Sequence, residues 1–173
     1  QLADVKNFVA IKESSGDVRR ITDIYNTVGD RYTIFCGVDD LALEAAMLGA
    51  QGWIAGVGLA FPHENQHVWD LATAGRYDEA LKIYRWFMPL LHLDIPVHFV
   101  QYIKLAIQEV GLGAEWVRAP RLPIAGDERK RVLKIIHDGI AAAHGLARHH
   151  IGHVGGEETA VAQRARVGGE PHA

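Results

Sequence analysis

Three short apolar runs, "FVAI" from Phe8, "YTIFCG" from Tyr32 and "GWIAGVG" from Gly52, are each followed by a stretch in which apolar residues recur at helical spacing. They return every ~20 to 25 residues, the rhythm of successive βα units and not of hairpins. Continuous apolar runs, unlike alternating ones, belong to strands covered on both faces, so the pattern predicts a parallel sheet flanked by helices. Behind the first run, Val18, Ile21, Ile24 and Tyr25 mark one face of a helix; Ser14 and Asp17 form its capping signal, and Gly29 with Asp30 ends it. The second helix is predicted over "DDLALEAAMLGA", ending at Gly49, and the third over "HENQHVWDLATAG", after Pro62.

From Tyr77 the rhythm changes. "YDEALKIYRWFMPLLHLD", "PVHFVQYIKLAIQEVG" and "GDERKRVLKIIHDGIAAA" are helical segments with no strand between them, and Tyr84, Trp86, Phe87, Leu90 and Leu91 read as packing residues. The expected organisation is βα units over 1–76, an appended helical region over 77–145, and a disordered tail over 146–173, where periodicity gives way to Gly, His and Ala.

Composition excludes several classes of function. The chain has 173 residues, 49% hydrophobic and 23% charged, enough apolar material for the core of a globular domain. Its net charge is -3 and its basic residues are scattered, so no footprint for nucleic acid is present. The single cysteine, Cys36, permits no internal disulfide and fits a reducing cytoplasmic setting. No apolar stretch approaches the ~20 residues of a membrane span, and "QLADVKN" lacks the features of a signal peptide.

The polar residues at the strand ends are the candidates for chemistry, because parallel α/β folds place their sites there. Lys12 closes the first apolar run; its neighbours Val9, Ala10 and Ile11 would desolvate the amine and favour a nucleophile able to form a Schiff base. Taken alone, the local pattern favours a lysine snorkelling to solvent. The second run ends in "CGVDD": Gly37 permits close approach of a ligand and Asp39 and Asp40 can accept hydrogen bonds from it, or the two aspartates simply start the next helix. In the third run, Gly56 and Gly58 could bare amide donors toward an anion, yet no GxGxxG fingerprint is formed, which disfavours a nicotinamide cofactor. His63 and His67 lie one helical turn apart, and His149, His150 and His153 cluster near the end, but no converging third ligand is named, so no metal is expected.

Taken in order, "VAIKESSGD", "GVDD" and "LGAQGWIAGVG" resemble the second half of the dihydrodipicolinate synthase and N-acetylneuraminate lyase family, over about residues 3 to 140. The resemblance implies an α/β fold, the C-terminal part of a (β/α)8 TIM barrel containing strands six to eight, followed by a C-terminal helical extension. It implies Lys12 as the Schiff-base lysine, and Gly37, Asp39, Asp40, Ile54 and Gly56 as residues contacting the substrate. It further implies that no cofactor is needed beyond a covalent imine on Lys12, and that the enzyme is a homo-oligomer. Lys104, in "QYIKLA", is a second lysine in the helical region and reads as structural.

Within the family, "AIKESSGDVRR", "IYRWFMPLLHLD" and "VRAPRLPIAG" look most like the branch containing 1-pyrroline-4-hydroxy-2-carboxylate deaminases of hydroxyproline breakdown. The implied activity is a dehydrating deamination of a small cyclic imino acid. The alternatives are dihydrodipicolinate synthase, or a 2-keto-3-deoxy sugar acid aldolase or dehydratase, acting on a 2-oxo acid. The family's first five βα units have no counterpart here, and none of Tyr25, Tyr32, Tyr77, Tyr84 and Tyr102 falls in its proton-relay motif. The chain is therefore expected to be a half-barrel fragment, and a catalytically inactive binding module is the remaining alternative.

Overall fold

The computed structural model describes residues 4–150, with side chains through residue 143. The chain divides into a compact unit of residues 1–140 and a second of 141–173. Of the second unit the structure describes helix over 141–150, with side chains to residue 143.

The three apolar runs form strands β1 (Ala10–Glu13), β2 (Thr33–Cys36) and β3 (Gly52–Trp53), parallel and in the order β1-β2-β3. Helices α1 (Arg19–Val28), α2 (Ala42–Met47) and α3 (Pro62–Thr73) follow them in turn. The register sets Lys12 opposite Phe35, and Phe35 opposite Gly52. Because side chains alternate across a strand, Lys12, Phe35 and Gly52 share one face while Ile34 and Cys36 take the other.

That second face is closed. Ile34 and Cys36 pack with Ile21 of α1 and with Ala42, Ala45 and Ala50, and Trp53 and Trp69 border the cluster. The alanines let α2 approach the sheet closely, and Gly49 supplies the left-handed turn (φ 95°) that brings the chain back into β3.

A larger core joins α3 to the appended helices α4 (Tyr77–Leu91), α5 (Phe99–Glu109) and the start of α6 (Gly126–His150). Phe87, Leu91, Leu105, Val132 and Ile136 are wholly buried in it. These helices lie where the 3.6-residue spacing predicts them. One turn of 3-10 helix, His92–Asp94, follows α4 and carries the chain toward the ends of the strands.

Three local expectations are corrected. The third strand is shorter than "GWIAGVG", because beyond Trp53 the Asp39 carboxylate captures the amides of Gly56 and Val57 and bends the chain into a 3-10 turn over Val57–Leu59. The cap at α1 is built by Asp17, which accepts from the Arg19 amide at 3.1 Å, and Ser14 takes no part in it. The loss of periodicity expected from residue 146 does not end the helix, which runs to His150; the expected tail beyond, with His153, lies outside the described residues.

Candidate active site

The open face of the sheet and the loops at the C-terminal ends of β1, β2 and β3 bring the predicted residues together. Lys12 lies across Gly37: a Cβ built on Gly37 would come within 2.7 Å of both Cγ and Cε of Lys12 and 2.0 Å of the Ser14 hydroxyl. Glycine at 37 is thus the space through which the lysine and Ser14 pass. Lys12 is exposed, as are Phe8 and Val9 before it, so the apolar neighbours read from the sequence do not desolvate the amine. The edge of β1 away from β2 carries no strand among the described residues, and that leaves them open.

Asp39 is fully buried and does not cap α2. Its carboxylate accepts from the Trp53 indole at 3.0 Å, from the Gly56 amide at 3.1 Å and from the Val57 amide at 2.6 Å. Burial pushes its proton affinity up, and the amide and indole donors together with the charge of Lys12 oppose that. The Gly56 amide is spent on Asp39, so it offers no donor to an anion. Asp40, half-buried, holds Nδ1 of His92 at 2.8 Å.

Ile54 extends past β3 with its amide bonded to the Cys36 carbonyl at 2.9 Å and its side chain 47% exposed. It is the apolar surface on the open side. Cys36 is buried, and burial holds its thiol up at about 11, which makes it inert packing.

Two residues that the sequence gave no reason to single out complete the rim: His92 and Asp94, both from the turn after α4. A Cβ on Gly56 would fall 2.5 Å from Oδ1 of Asp94 and 2.7 Å from Ile103, so the Asp94 carboxyl rests directly on the Gly56 backbone. The Asp39 amide donates to Asp94, while burial and then repulsion from Asp39 push the Asp94 carboxyl up to about 6; Lys12 and the amide pull the other way. The only hint in the sequence is that "LHLD" falls where the apolar period of α4 stops before Pro96.

The remaining candidates fall elsewhere. Lys104 sits on α5 with its ammonium 5.0 Å from the centre of the Trp116 ring. His63 and His67 are on α3, and among the described residues no three His, Cys, Asp or Glu side chains converge to hold a metal ion. Tyr84, wholly in the core, donates to Glu44 at 3.0 Å.

Residues 1–138 match the dihydrodipicolinate synthetase family. The chain belongs to that family.

Among its members, the 4-hydroxy-tetrahydrodipicolinate synthase of Exiguobacterium sibiricum is 36% identical over 124 residues, 71% of this chain and 41% of that protein. The synthase of Methanosarcina barkeri is 30% identical over 134 residues, 76% of this chain and 46% of that protein. The solved dihydrodipicolinate synthase of Bacillus anthracis aligns with a TM-score of 0.72 at 29% identity, covering 79% of this chain and 47% of its own. The chloride-inhibited synthase of Acinetobacter baumannii, solved in complex with pyruvate, gives 0.72 at 26%, covering 80% and 47%. The chain spans about half the length of the curated relatives it matches. The α/β fold expected from the sequence is thus that of the family's barrel enzymes, over part of their length. The family works through a pyruvate-derived Schiff base on a lysine and needs no metal or organic cofactor. No helix among the described residues is long and apolar enough to cross a membrane.

Proposed function

We propose that this chain carries the imine-forming half of a class I lyase, with β1, β2 and β3 as strands six, seven and eight of its barrel and Lys12 as the nucleophile. The observation that carries the reading is the passage of Lys12 over Gly37 onto the open face of the sheet, beside Phe35 and within the field of two carboxyls. The amine adds to the carbonyl carbon of a small 2-oxo acid, the carbonyl oxygen departs as water, and the protonated imine draws electrons from the neighbouring carbon. Asp39 acts by holding the β3 loop in place, and Ile54 offers apolar surface to the substrate.

The substrate we favour is pyruvate. The relatives above carry the synthase name and one was solved with pyruvate bound, which supports a synthase or aldolase over the hydroxyproline-route deaminase that the sequence motifs resemble. The exposed edge of β1, with Phe8 50% and Val9 64% exposed, supports assembly with further strands, in a longer polypeptide or a second one. Borohydride reduction of the full chain with pyruvate, followed by peptide mapping, tests the proposal. One reduced adduct on Lys12, lost in Lys12→Arg, is the expected result; an adduct on Lys104, or none, would sink it.

A further inference from the structure

The loop after α5 is tied back onto that helix. Gln101, Lys104 and Gln108 stand about one turn apart along one face of α5. The Gln101 side chain donates to the Leu122 carbonyl at 3.3 Å, and that of Gln108 accepts from the Glu115 amide at 3.1 Å. Between these two ties lies Lys104, half-buried, with its ammonium 5.0 Å from the centre of the Trp116 ring. A cavity of about 240 Å³ opens there, lined by Val100 and Lys104 of the helix and by Trp116, Val117, Arg118 and Arg121 of the loop. Among the described residues its walls hold three cations and no carboxylate.

The chain as a whole is acidic, at net charge -3, and elsewhere its cations meet carboxylates, as Arg19 does Asp17 and Arg76 does Glu79. Around this cavity the acids are spent on other partners. Glu115, next to Trp116, takes both terminal nitrogens of Arg129; Glu109 holds His137 at 2.6 Å, and Glu128 holds Nδ1 of His98 at 2.7 Å. Among the described residues, Arg118 and Arg121 have no side-chain partner and Lys104 has only the indole ring. Three like charges gathered on one cavity repel, and an anion seated among them removes that repulsion. The arginine forks match the paired oxygens of a carboxylate or phosphate, and the lysine adds a point charge. Val100, Val117 and Trp116, the last 61% exposed, make the remaining wall apolar. The volume lies below the ~300 to 1,000 Å³ of drug-sized pockets, which limits the occupant to a small molecule. We propose that this cavity binds a small organic anion, its two negative charges, on carboxylate or phosphate groups, held by Lys104, Arg118 and Arg121 and its apolar body lying against Trp116, Val100 and Val117. Every wall comes from residues 100–121, so the proposal is independent of the role of Lys12.

Isothermal titration of the full chain with phenyl phosphate, benzene-1,3-dicarboxylate and inorganic phosphate tests the site, with circular dichroism melts confirming that each variant is folded. At least one of the two organic anions should bind with a Kd of about 1 mM or tighter. Arg118→Gln, Arg121→Gln and Lys104→Met should each weaken it about tenfold or more, the range of a charge-assisted hydrogen bond, while Lys82→Met, exposed on α4, should leave it unchanged. In wild type the indole N–H resonance of Trp116, assigned with Trp116→Phe, should move during the titration. Phenyl phosphate as the tighter ligand assigns a phosphate head, the dicarboxylate as the tighter assigns carboxylates, and either upholds the site. Inorganic phosphate binding as tightly as both overturns the part given to the apolar wall, and the organic ligand with it. Failure of both organic anions to bind, or binding that Arg118→Gln and Arg121→Gln leave at wild-type strength, overturns the proposal.

Discussion

On one side of the sheet Ile34 and Cys36, at 0% and 3% exposure, meet Ile21, Ala42 and Ala45; on the other, Lys12 and Ile54 stand in the open with Phe35 half-covered. Both faces belong to the same few residues of backbone, and neighbours along β2 differ only in which way they point. The closed face is where apolar area is removed from water, so it carries stability. On the open face Lys12 and Ile54 stay exposed, and the proposed function leaves them for a substrate. The proposed site thus lies where the core ends, and the turn after α4 is pinned to that border by Asp40 and by the amide of Asp39.

The largest effect should come from a pair of isoleucines chosen across this divide. Ile34→Ala removes a side chain with 0% exposure and should cost about 2–5 kcal/mol, by transfer energy and the cavity left behind. Ile54→Ala, at 47% exposure, should change stability by no more than ~0.5 kcal/mol. Urea unfolding of the two variants measures both. Equal losses would mean that the open face is packed in solution, and the division drawn here would be wrong.

Gly37→Ala sharpens the comparison at the boundary. Its new Cβ meets Lys12 and Ser14 at 2.7 and 2.0 Å, and overpacking of this kind costs about 1–3 kcal/mol. Both neighbours are exposed side chains able to swing aside, so the lower end of that range is expected, along with a clear fall in the rate of Lys12 labelling. Unchanged labelling would show that the path of the lysine over Gly37 is not the productive one.

How much of this the sequence shows depends on range. The strands, the helices and the order of Lys12, Asp39 and Gly56 are legible because they rest on local periodicity and turn chemistry. The bonds from Asp39 to Gly56 and Val57 span 17 and 18 residues, and nothing in "GVDD" distinguishes a carboxylate so committed from one capping a helix or greeting a ligand. Burial of Lys12 was inferred from Val9, Ala10 and Ile11, yet Val9 is itself 64% exposed, since apolar composition predicts burial only where a neighbouring strand is present to provide it. Asp94 is the extreme case. It matters because a turn from the helical region lands on Gly56, and that meeting is a product of packing in the larger core, invisible to any window of sequence.

The smallest effect, and the one that isolates Asp94, is on stability against pH. Its carboxyl is raised from 3.8 to about 6, so between those values the native state holds a proton that the unfolded chain has released. Stability must therefore fall as pH rises through that window and level off above it. The group is half-exposed, and after allowance for solvent screening the loss should be only about 1 kcal/mol. Buried Asp39 acts in the same direction, while Glu115 and Glu128, held low by Arg129 and His98, act oppositely at the acid end. Comparison of wild type with Asp94→Asn cancels all three: the variant should gain on wild type between about pH 4 and pH 6 and run parallel to it above. Curves parallel throughout would show that Asp94 ionises as an ordinary surface carboxylate, and that its place over Gly56 does not raise it.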